Sequence, residues 1–535
     1  MSIFSKIPVQ KTKRSLFNLS YQNAFTSTFG KITPVYIEDC IPGDIFNLAG
    51  LPYIVANPLS APILGTIKAD TYYFFVPKSL VWENWEKFIT GGPDGTASPA
   101  MPYKLPLSTS STYLELFDYL SKSRSRTASS GSIVKGTIHP KVNMLDWRAY
   151  WLIYNSYFRD ENLEQDLFDD KNSNYISLGD GDITTLPGYS QTIDGKDLFQ
   201  LPYASWKKDL FTSALPWTQR GPSVAIPISG DLLFKEAQSG TTVPVGGYGT
   251  SLSNVPANVV APIVTQNVQG KSGKLLFENS AESFTIEDLR YASALQRWLE
   301  RNAVGGGRYV EQILSHYGCV IPDYRAFRPE FIGGVSTAIM SGTVYQNSAT
   351  TDQSVLGTRG GQASGSGVMK STKYKCRDHG YIIGVQVIRP SEGFYSEGIN
   401  RRSLKFDKFD IAFPEFQNLG EQEILNAEIF TDGRVESSND GKVFGYGPRY
   451  YEYKHRQNEV HGDFRTSLAY WIPQRIFGDL PGLNQDFVHV NPNKEKSLNN
   501  IFAVTDGNKD QFMCVHSTYA KVIRPLSKYT QFKLF

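Results

Sequence analysis

The chain predicts a mainly β protein, a β-sandwich or jelly roll whose inter-strand loops have grown into long insertions containing several α-helices. Three observations predict it. The 32 Phe, 30 Tyr and 8 Trp make up 13% of 535 residues, and aromatic side chains favour pleated, half-buried surfaces. Short runs of β-branched and aromatic residues are punctuated throughout by 46 Gly and 29 Pro. These runs stand tens to hundreds of residues apart, with helical periodicity in the connections, which is neither a βαβ alternation nor a repeat array.

Residues 1–16 carry Lys6, Lys11, Lys13 and Arg14 without an acid and read as a basic arm. From Phe17 to Leu48 the text is strand-like, with a turn at Pro42-Gly43-Asp44 where Pro presets one corner. Asp70–Val76 is a continuous β-favouring run, expected as a central strand buried on both faces. Ser79 is placed to cap a helix bearing Leu80, Trp82, Trp85 and Phe88, which Gly91-Gly92 ends. A second helix is expected over Thr112–Leu120. A third starts near Asp146, where Trp147, Tyr150, Trp151, Tyr154, Tyr157 and Phe158 recur at three- and four-residue steps. Thr285-Ile-Glu-Asp288 is a capping-box pattern opening another helix, and a short one is expected over Arg308–His316. Residues 380–390 read as a second buried strand, and Ser467–Trp471 and Gln511–Val515 as further strands. Residues 222–270 hold only Asp231, Lys235 and Glu236 as charges and read as a surface projection; Thr350–Ser371 is a Gly/Ser/Thr-rich loop.

Composition excludes several classes. With 54 Lys+Arg against 52 Asp+Glu and 40% hydrophobic residues, the chain is not disordered as a whole. No run approaches the 18 or so apolar residues of a membrane helix, so no membrane insertion is expected. The first residues lack the apolar stretch of a secretory signal. Cys40, Cys319, Cys376 and Cys514 are far apart and read as reduced core thiols, which places the protein in a reducing compartment.

Catalytic patterns fail on inspection. Gly270-Lys271-Ser272 ends like a phosphate loop, but Thr265 stands where its first Gly belongs. Asp170-x-Asn172-x-Asn174 begins like a calcium loop, but Tyr175 and Gly181 replace its Gly and bidentate Glu. Of seven histidines only His455 and His461 are close, and they read as solvated. The carboxylate pairs Glu161/Glu164 and Glu421/Glu423 suit a glycosidase in principle and surface solvation more simply. No catalytic, cofactor or metal residue is assigned, and the chain reads as a non-enzyme.

Charge is informative at the ends. Residues 517–535 carry Lys521, Arg524, Lys528 and Lys533 without an acid, interleaved with Tyr519, Tyr529, Phe532 and Phe535. Lys and Arg neutralise phosphates while aromatic faces stack on unpaired bases. Lys6, Lys11, Lys13, Arg14, Lys521, Arg524, Lys528, Lys533, Tyr529 and Phe532 are therefore the candidate nucleic-acid contacts; the competing reading is solvated tails or a clamp on a neighbouring subunit. Weaker clusters are Arg401, Arg402, Lys405 and Lys408, interrupted by Asp407 and Asp410, and Arg449–Arg456 with its tyrosines, a candidate interface or nucleic-acid groove. Lys122–Arg126 reads as an exposed loop.

Long ordered strings then carry a resemblance. They include Phe17-Asn-Leu-Ser20, Pro42-Gly43-Asp44, Tyr73–Gly92, Phe158-Arg-Asp-Glu-Asn-Leu163, Phe211–Gly221, Arg328-Pro-Glu-Phe-Ile-Gly-Gly334, His379–Gly384 and Arg524-Pro-Leu-Ser-Lys-Tyr529. From about residue 17 to 530, except at 222–275 and 345–368, the chain resembles the major capsid protein of Microviridae, single-stranded DNA phages, of gokushovirus type. It departs after Tyr529, where Thr530-Gln531 replaces the usual Pro-Gly.

The resemblance implies a single eight-stranded antiparallel jelly-roll domain over 17–535. Its large loops are 222–275 (a threefold protrusion, with host attachment as its expected role) and 345–371, followed by a basic and aromatic tail at 517–535. It further implies a homo-oligomer of 60 copies, a T=1 shell around circular single-stranded DNA bound without sequence specificity. The implied partners are scaffolding, pilot and DNA-binding phage proteins and a host surface receptor. The implied location is the virion, assembled in the bacterial cytoplasm. The alternatives are a carbohydrate-binding β-sandwich, lectin or glycosidase, with Trp and Tyr as sugar platforms, and a free single-strand-binding monomer.

Overall fold

In a computed structural model the described residues are 13–104, 114–122, 124–127, 133–137, 141–224, 232–236, 242–243, 275–279, 286–345, 347, 356–431, 439–504 and 509–528. The chain divides into two compact units, Met1–Thr218 with Gly306–Phe535, and Gln219–Gly305.

The first unit is built on a ten-stranded antiparallel sheet. Its strands are β1 Ser15–Asn18, β2 Tyr21–Ser27, β3 Thr33–Cys40, β4 Ile45–Ala56, β5 Ile67–Pro77, β6 Glu330–Tyr345, β7 Arg359–Ser366, β8 Thr372–Lys375, β9 Gly380–Pro390 and β10 Phe512–Arg524. Hydrogen bonding runs β1–β10–β4–β7–β6–β5–β9–β3, with β2 also on β10 and β8 on β4. β6 serves two layers: residues 330–339 pair with β5 and residues 340–345 with β7. The sheet thus curls into two four-stranded layers. In the first, β10 and β4 lie between β1/β2, end to end, and β7/β8. In the second, β9 and β5 lie between β3 and the first half of β6. This is the connectivity of an eight-stranded jelly roll.

Burial alternates along the first layer, as one-sided packing requires. Phe46, Leu48, Ala520 and Val522 point inward and meet Val35, Tyr36, Tyr73, Phe75 and Ile382 of the second layer in one cluster. Asn47, Tyr53, Tyr519 and Lys521 point outward. β9 does not alternate; nearly every residue is buried. Its second face, with Phe74 and Val76 of β5, is covered by the connection after β5.

That connection holds helices α1 Lys78–Val81, α2 Trp85–Thr90, α3 Glu115–Tyr119 and α4 Leu145–Ile153, the last continuing as a π turn over Tyr154–Phe158. Trp147, Tyr150, Trp151 and Tyr154 of this run pack with Ile383, Val385 and Val387. Both indoles donate to the Leu198 carbonyl, at 3.0 and 3.1 Å. The expected buried strands and the aromatic helix are therefore the two sides of one contact.

Several expectations change. The helix expected from Ser79 splits into α1 and α2, and Ser79 caps neither: Pro77 precedes α1, and Trp82 turns inward to donate to Asp180 at 2.5 Å. Gly91 does end α2, in the left-handed region. Of Thr112–Leu120, Glu115–Tyr119 is helical, and 112 and 113 lie outside the described residues. Ser467–Trp471 is not a strand: Ala469–Trp471 is a 3-10 turn whose N–H groups bond locally, Ala469 to Thr466 and Trp471 to Leu468. The Gly/Ser-rich loop contains β7. Its glycines admit close neighbours, since a Cβ on Gly361 would lie 2.6 Å from the Ala61 carbonyl oxygen and one on Gly365 2.8 Å from that of Ala338. Arg124–Thr127 is not loop but pairs with Ile133–Thr137, and Lys122 is ion-paired to Asp146 at 2.6 Å. Cys40, Cys376 and Cys514 are buried free thiols, whereas Cys319 is exposed.

In the second unit Leu232–Glu236 lies between Thr242–Val243 and Leu275–Asn279 in a small antiparallel sheet, and α5 Ile286–Gly305 follows. The Thr285 cap, and most of 222–275, lie outside the described residues. In the first unit the helix expected over Arg308–His316 is α6 Tyr309–Tyr317, where Glu311 accepts from the Arg308 backbone N–H at 3.3 Å and from its guanidinium at 3.2 Å.

Candidate nucleic-acid interface

The outward face of the first layer is unusual in its charge. None of β1, β2, β4, β7, β8 or β10 contains an Asp or Glu. The strands of the second layer hold Glu38, Asp39, Asp70 and Glu330. Register assembles the cations of the first layer into rows. Asn18 pairs with Lys521, Lys521 with Asn47 and Asn47 with Lys373, a polar row across four strands. The next row runs Leu16, Ile523, Ile45 and Lys375. Tyr519, opposite Ala49, and Tyr53, opposite Val515, lie on the same face and are each about half exposed. Exposed tyrosines among lysines, with no carboxylate in these strands, form a surface that attracts phosphate and offers rings to unpaired bases.

The candidate residues fall into three groups. Lys13 and Arg14 are exposed directly before β1, and Lys521 is exposed in mid-layer. The N-terminal arm therefore ends earlier than expected, because Ser15 and Leu16 already pair with β10. Likewise the expected tail from 517 is strand as far as Arg524: Phe512, Cys514, His516, Thr518, Ala520 and Val522 are its buried side, which ties it into the sandwich. Lys528 is exposed beyond it. Lys6, Lys11, Tyr529, Phe532 and Lys533 lie outside the described residues.

Arg524 has a different setting. Its Nε lies 2.9 Å from Asp44 Oδ2, and its Nη2 lies 3.0 Å from Glu38 Oε1 and 2.7 Å from the Asp39 carbonyl. Asp44 has no exposed side-chain surface, and burial raises its carboxyl above the usual range despite the Ile41 N–H and Arg524. The guanidinium is neutralised within the fold, where it fastens the end of β10 to the Pro42-Gly43-Asp44 turn. Lys373, Lys375 and Tyr53 were not singled out in the sequence. The signal was Thr372-Lys-Tyr-Lys375, with two cations two residues apart on one side of a strand.

Charged side chains elsewhere serve packing. Glu164 has no exposed side-chain surface; it accepts from Tyr154 at 2.7 Å and meets His489 Nε2 at 2.8 Å and Lys196 Nζ at 3.2 Å. Burial pushes its carboxyl up, but the His489 hydrogen bond and charge and the Lys196 ammonium outweigh this and pull it down to about 2. Arg475 is fully buried among Trp206, Tyr395, Phe477 and Phe487 and paired with Glu495. Among the described residues no helix is long and apolar enough to cross a membrane.

Residues 5–533 match the family described as Capsid protein (F protein). The chain belongs to this capsid family. It is 32% identical to Capsid protein VP1 of Bdellovibrio phage phiMH2K over 525 residues, 92% of this chain and 91% of that protein. Against Capsid protein VP1 of Chlamydia phage 1 it is 28% identical, with 98% and 96% covered. For that of Spiroplasma virus 4 the identity is 27%, with 91% and 89% covered. The resemblance to gokushovirus-type Microviridae is borne out. This capsid chain is a structural major capsid protein and a virion component, a subunit that assembles into an oligomeric shell. The family is structural rather than enzymatic, and the lectin or glycosidase alternative is set aside. The surface-solvation reading of the Glu161/Glu164 pair is corrected for Glu164, which is held in the buried network above by His489 and Lys196.

Proposed function

We propose that sixty copies of this capsid subunit form a T=1 shell around circular single-stranded DNA, and that the open face of the first layer touches the packaged strand without reading its sequence. The observation that carries the DNA contact is the acid-free set of six strands whose outward side chains include Lys373, Lys375, Lys521, Tyr53 and Tyr519. Lys13, Arg14 and Lys528 extend the same charge, and Lys6, Lys11, Lys533, Tyr529 and Phe532 belong to the proposal from sequence. Shell formation draws support from the exposed Phe406, Phe409, Ile411, Phe413 and Leu419 of one short segment, a concentration of apolar surface suited to contact with another copy. The insertion at 222–275 is the proposed threefold protrusion and the surface offered to a host receptor. Scaffolding, pilot and DNA-binding phage proteins complete the proposed assembly, in the bacterial cytoplasm.

The test is Lys373→Gln, Lys375→Gln and Lys521→Gln combined. These side chains are exposed, so shells of normal diameter are expected. Removing one phosphate-neutralising lysine should reduce the slope of log affinity against log salt by about 0.7 for single strands, and the triple variant should reduce it by about 2. An unchanged salt slope with an unchanged DNA-to-protein ratio in particles removes the proposed interface. Deleting residues 225–268 tests the protrusion: shells that assemble and adsorb normally to cells remove its attachment role.

A further inference from the structure

A cavity of about 360 Å³ opens in the first unit, away from the sheet face. It brings together the two mixed basic clusters of the sequence: Arg401 and Arg402 line it from one, Arg456 from the other, and Arg465 joins them. Three carboxylates share the lining, and two are already neutralised. Glu428 holds Arg401 Nη1 at 3.0 Å, and Glu452 holds Lys405 Nζ at 2.7 Å. Glu459 remains, held by Asn400 Nδ2 at 2.5 Å and His461 Nε2 at 3.2 Å. Against it stand the guanidinium groups of Arg402, Arg456 and Arg465, none with an ion pair within 4 Å among the described residues. Three cations facing one anion leave the wall positive even with His455 and His461 neutral.

A second observation points the same way. Gln457 lies in the lining; its Oε1 is 3.2 Å from His455 Nε2, while its Nε2 is buried without a hydrogen-bond partner among the described residues. An unmet amide donor is costly unless an acceptor arrives. Phe211 and Tyr395 add largely buried apolar floor beneath these donors. Donors and cations above an apolar floor fit an anion carrying an organic body, and planar guanidinium groups suit phosphate in particular. The volume lies within the range of small-ligand sites.

We propose that this cavity binds a phosphate-bearing organic anion of nucleotide size, with Arg402 and Arg456 as its phosphate contacts. Such a group has two sources, a free nucleotide or one residue of a DNA strand. The proposal does not rest on the sheet-face interface, with which it shares no residue.

The experiment is calorimetric titration of the purified full-length protein, as free subunits and as shells, with adenosine monophosphate, and with inorganic phosphate as competitor. Saturable binding that phosphate displaces is expected, weakened at least tenfold by Arg402→Gln with Arg456→Gln. Both side chains are exposed, so the double variant should melt like the parent, and the Lys373/Lys375/Lys521 variant should bind as the parent does. Competition by an octathymidylate assigns the strand as the source, and its absence assigns a free nucleotide. No saturable binding of either small anion, or equal affinity in the double variant, overturns the proposal. A failure of the sheet-face test alone would leave it standing.

Discussion

The two layers of the jelly roll are made from strands of similar length but serve opposite purposes. In the second layer the central strands are buried on both faces, β5 over Tyr73–Val76 and β9 over nearly its whole length, where the aromatic side of α4 covers them. β6 is half-buried or exposed over residues 330–336. The first layer is buried on one face only. Its free face lacks acids and keeps Tyr, Lys and aliphatic side chains in water. Covering a sheet face supplies stability; leaving one bare and biased in charge costs stability little and preserves a surface for contact.

That contrast can be broken most directly by mutation of the cover. Trp151→Ala removes a fully buried indole and its bond to Leu198, and should cost about 4 kcal/mol in urea unfolding. Comparable loss from Tyr519→Ala on the open face would erase the distinction.

Acid tests the space between the layers. His516 of β10 lies there, 2.7 Å from the Tyr73 hydroxyl, and burial lowers its pKa from 6.5 to about 4. Above pH 6.5 neither state holds the proton and stability is unaffected. As pH falls from 6.5 to 4 the unfolded chain binds it and the folded chain does not, so about 3 kcal/mol should be lost. His516→Gln should flatten that window in a pH series of melts. Glu164 acts lower: its folded pKa of about 2 lies below the ordinary 4.5, so its contribution is full above 4.5 and disappears as pH falls towards 2.

Arg524 sharpens the contrast within one strand. Arg524→Ala leaves Asp44 buried without its cation and should cost about 2 kcal/mol. Lys521→Ala, three residues earlier on the open face, should stay within about 0.5 kcal/mol while weakening DNA retention. Equal thermal shifts for the two would mean that Arg524 is as free as Lys521.

The same contrast explains what was legible. Tyr73–Val76 and most of 380–390 announce themselves because strand segments buried on both faces are almost wholly apolar or aromatic, whereas Asp70 and Tyr72 turn out half-buried. The helix from Asp146 is legible because its aromatic stripe repeats at helical spacing. β7 was hidden: Gly and Ser carry no alternating signal, and they are present because the neighbouring backbones come close. The start of β10 was anticipated, but its second half read as a basic tail, because Lys521 and Arg524 look alike until Asp44 and Glu38 are brought beside one of them. The interface was glimpsed at Lys521 and missed at Lys373 and Lys375, which lie nearly 150 residues away in the chain but pair with the same strand.

The sequence by itself determined the mainly β character, the buried strand candidates and the aromatic helix from Asp146, since these follow from local composition and period, while the family followed from the resemblance of its long ordered strings. Only the tertiary structure decided which charges are free. An ion pair between Arg524 and Asp44, a lysine row across β10 and β8, and a cavity joining residues 401 and 456 all depend on strands and loops distant in the chain, whose proximity no local pattern records.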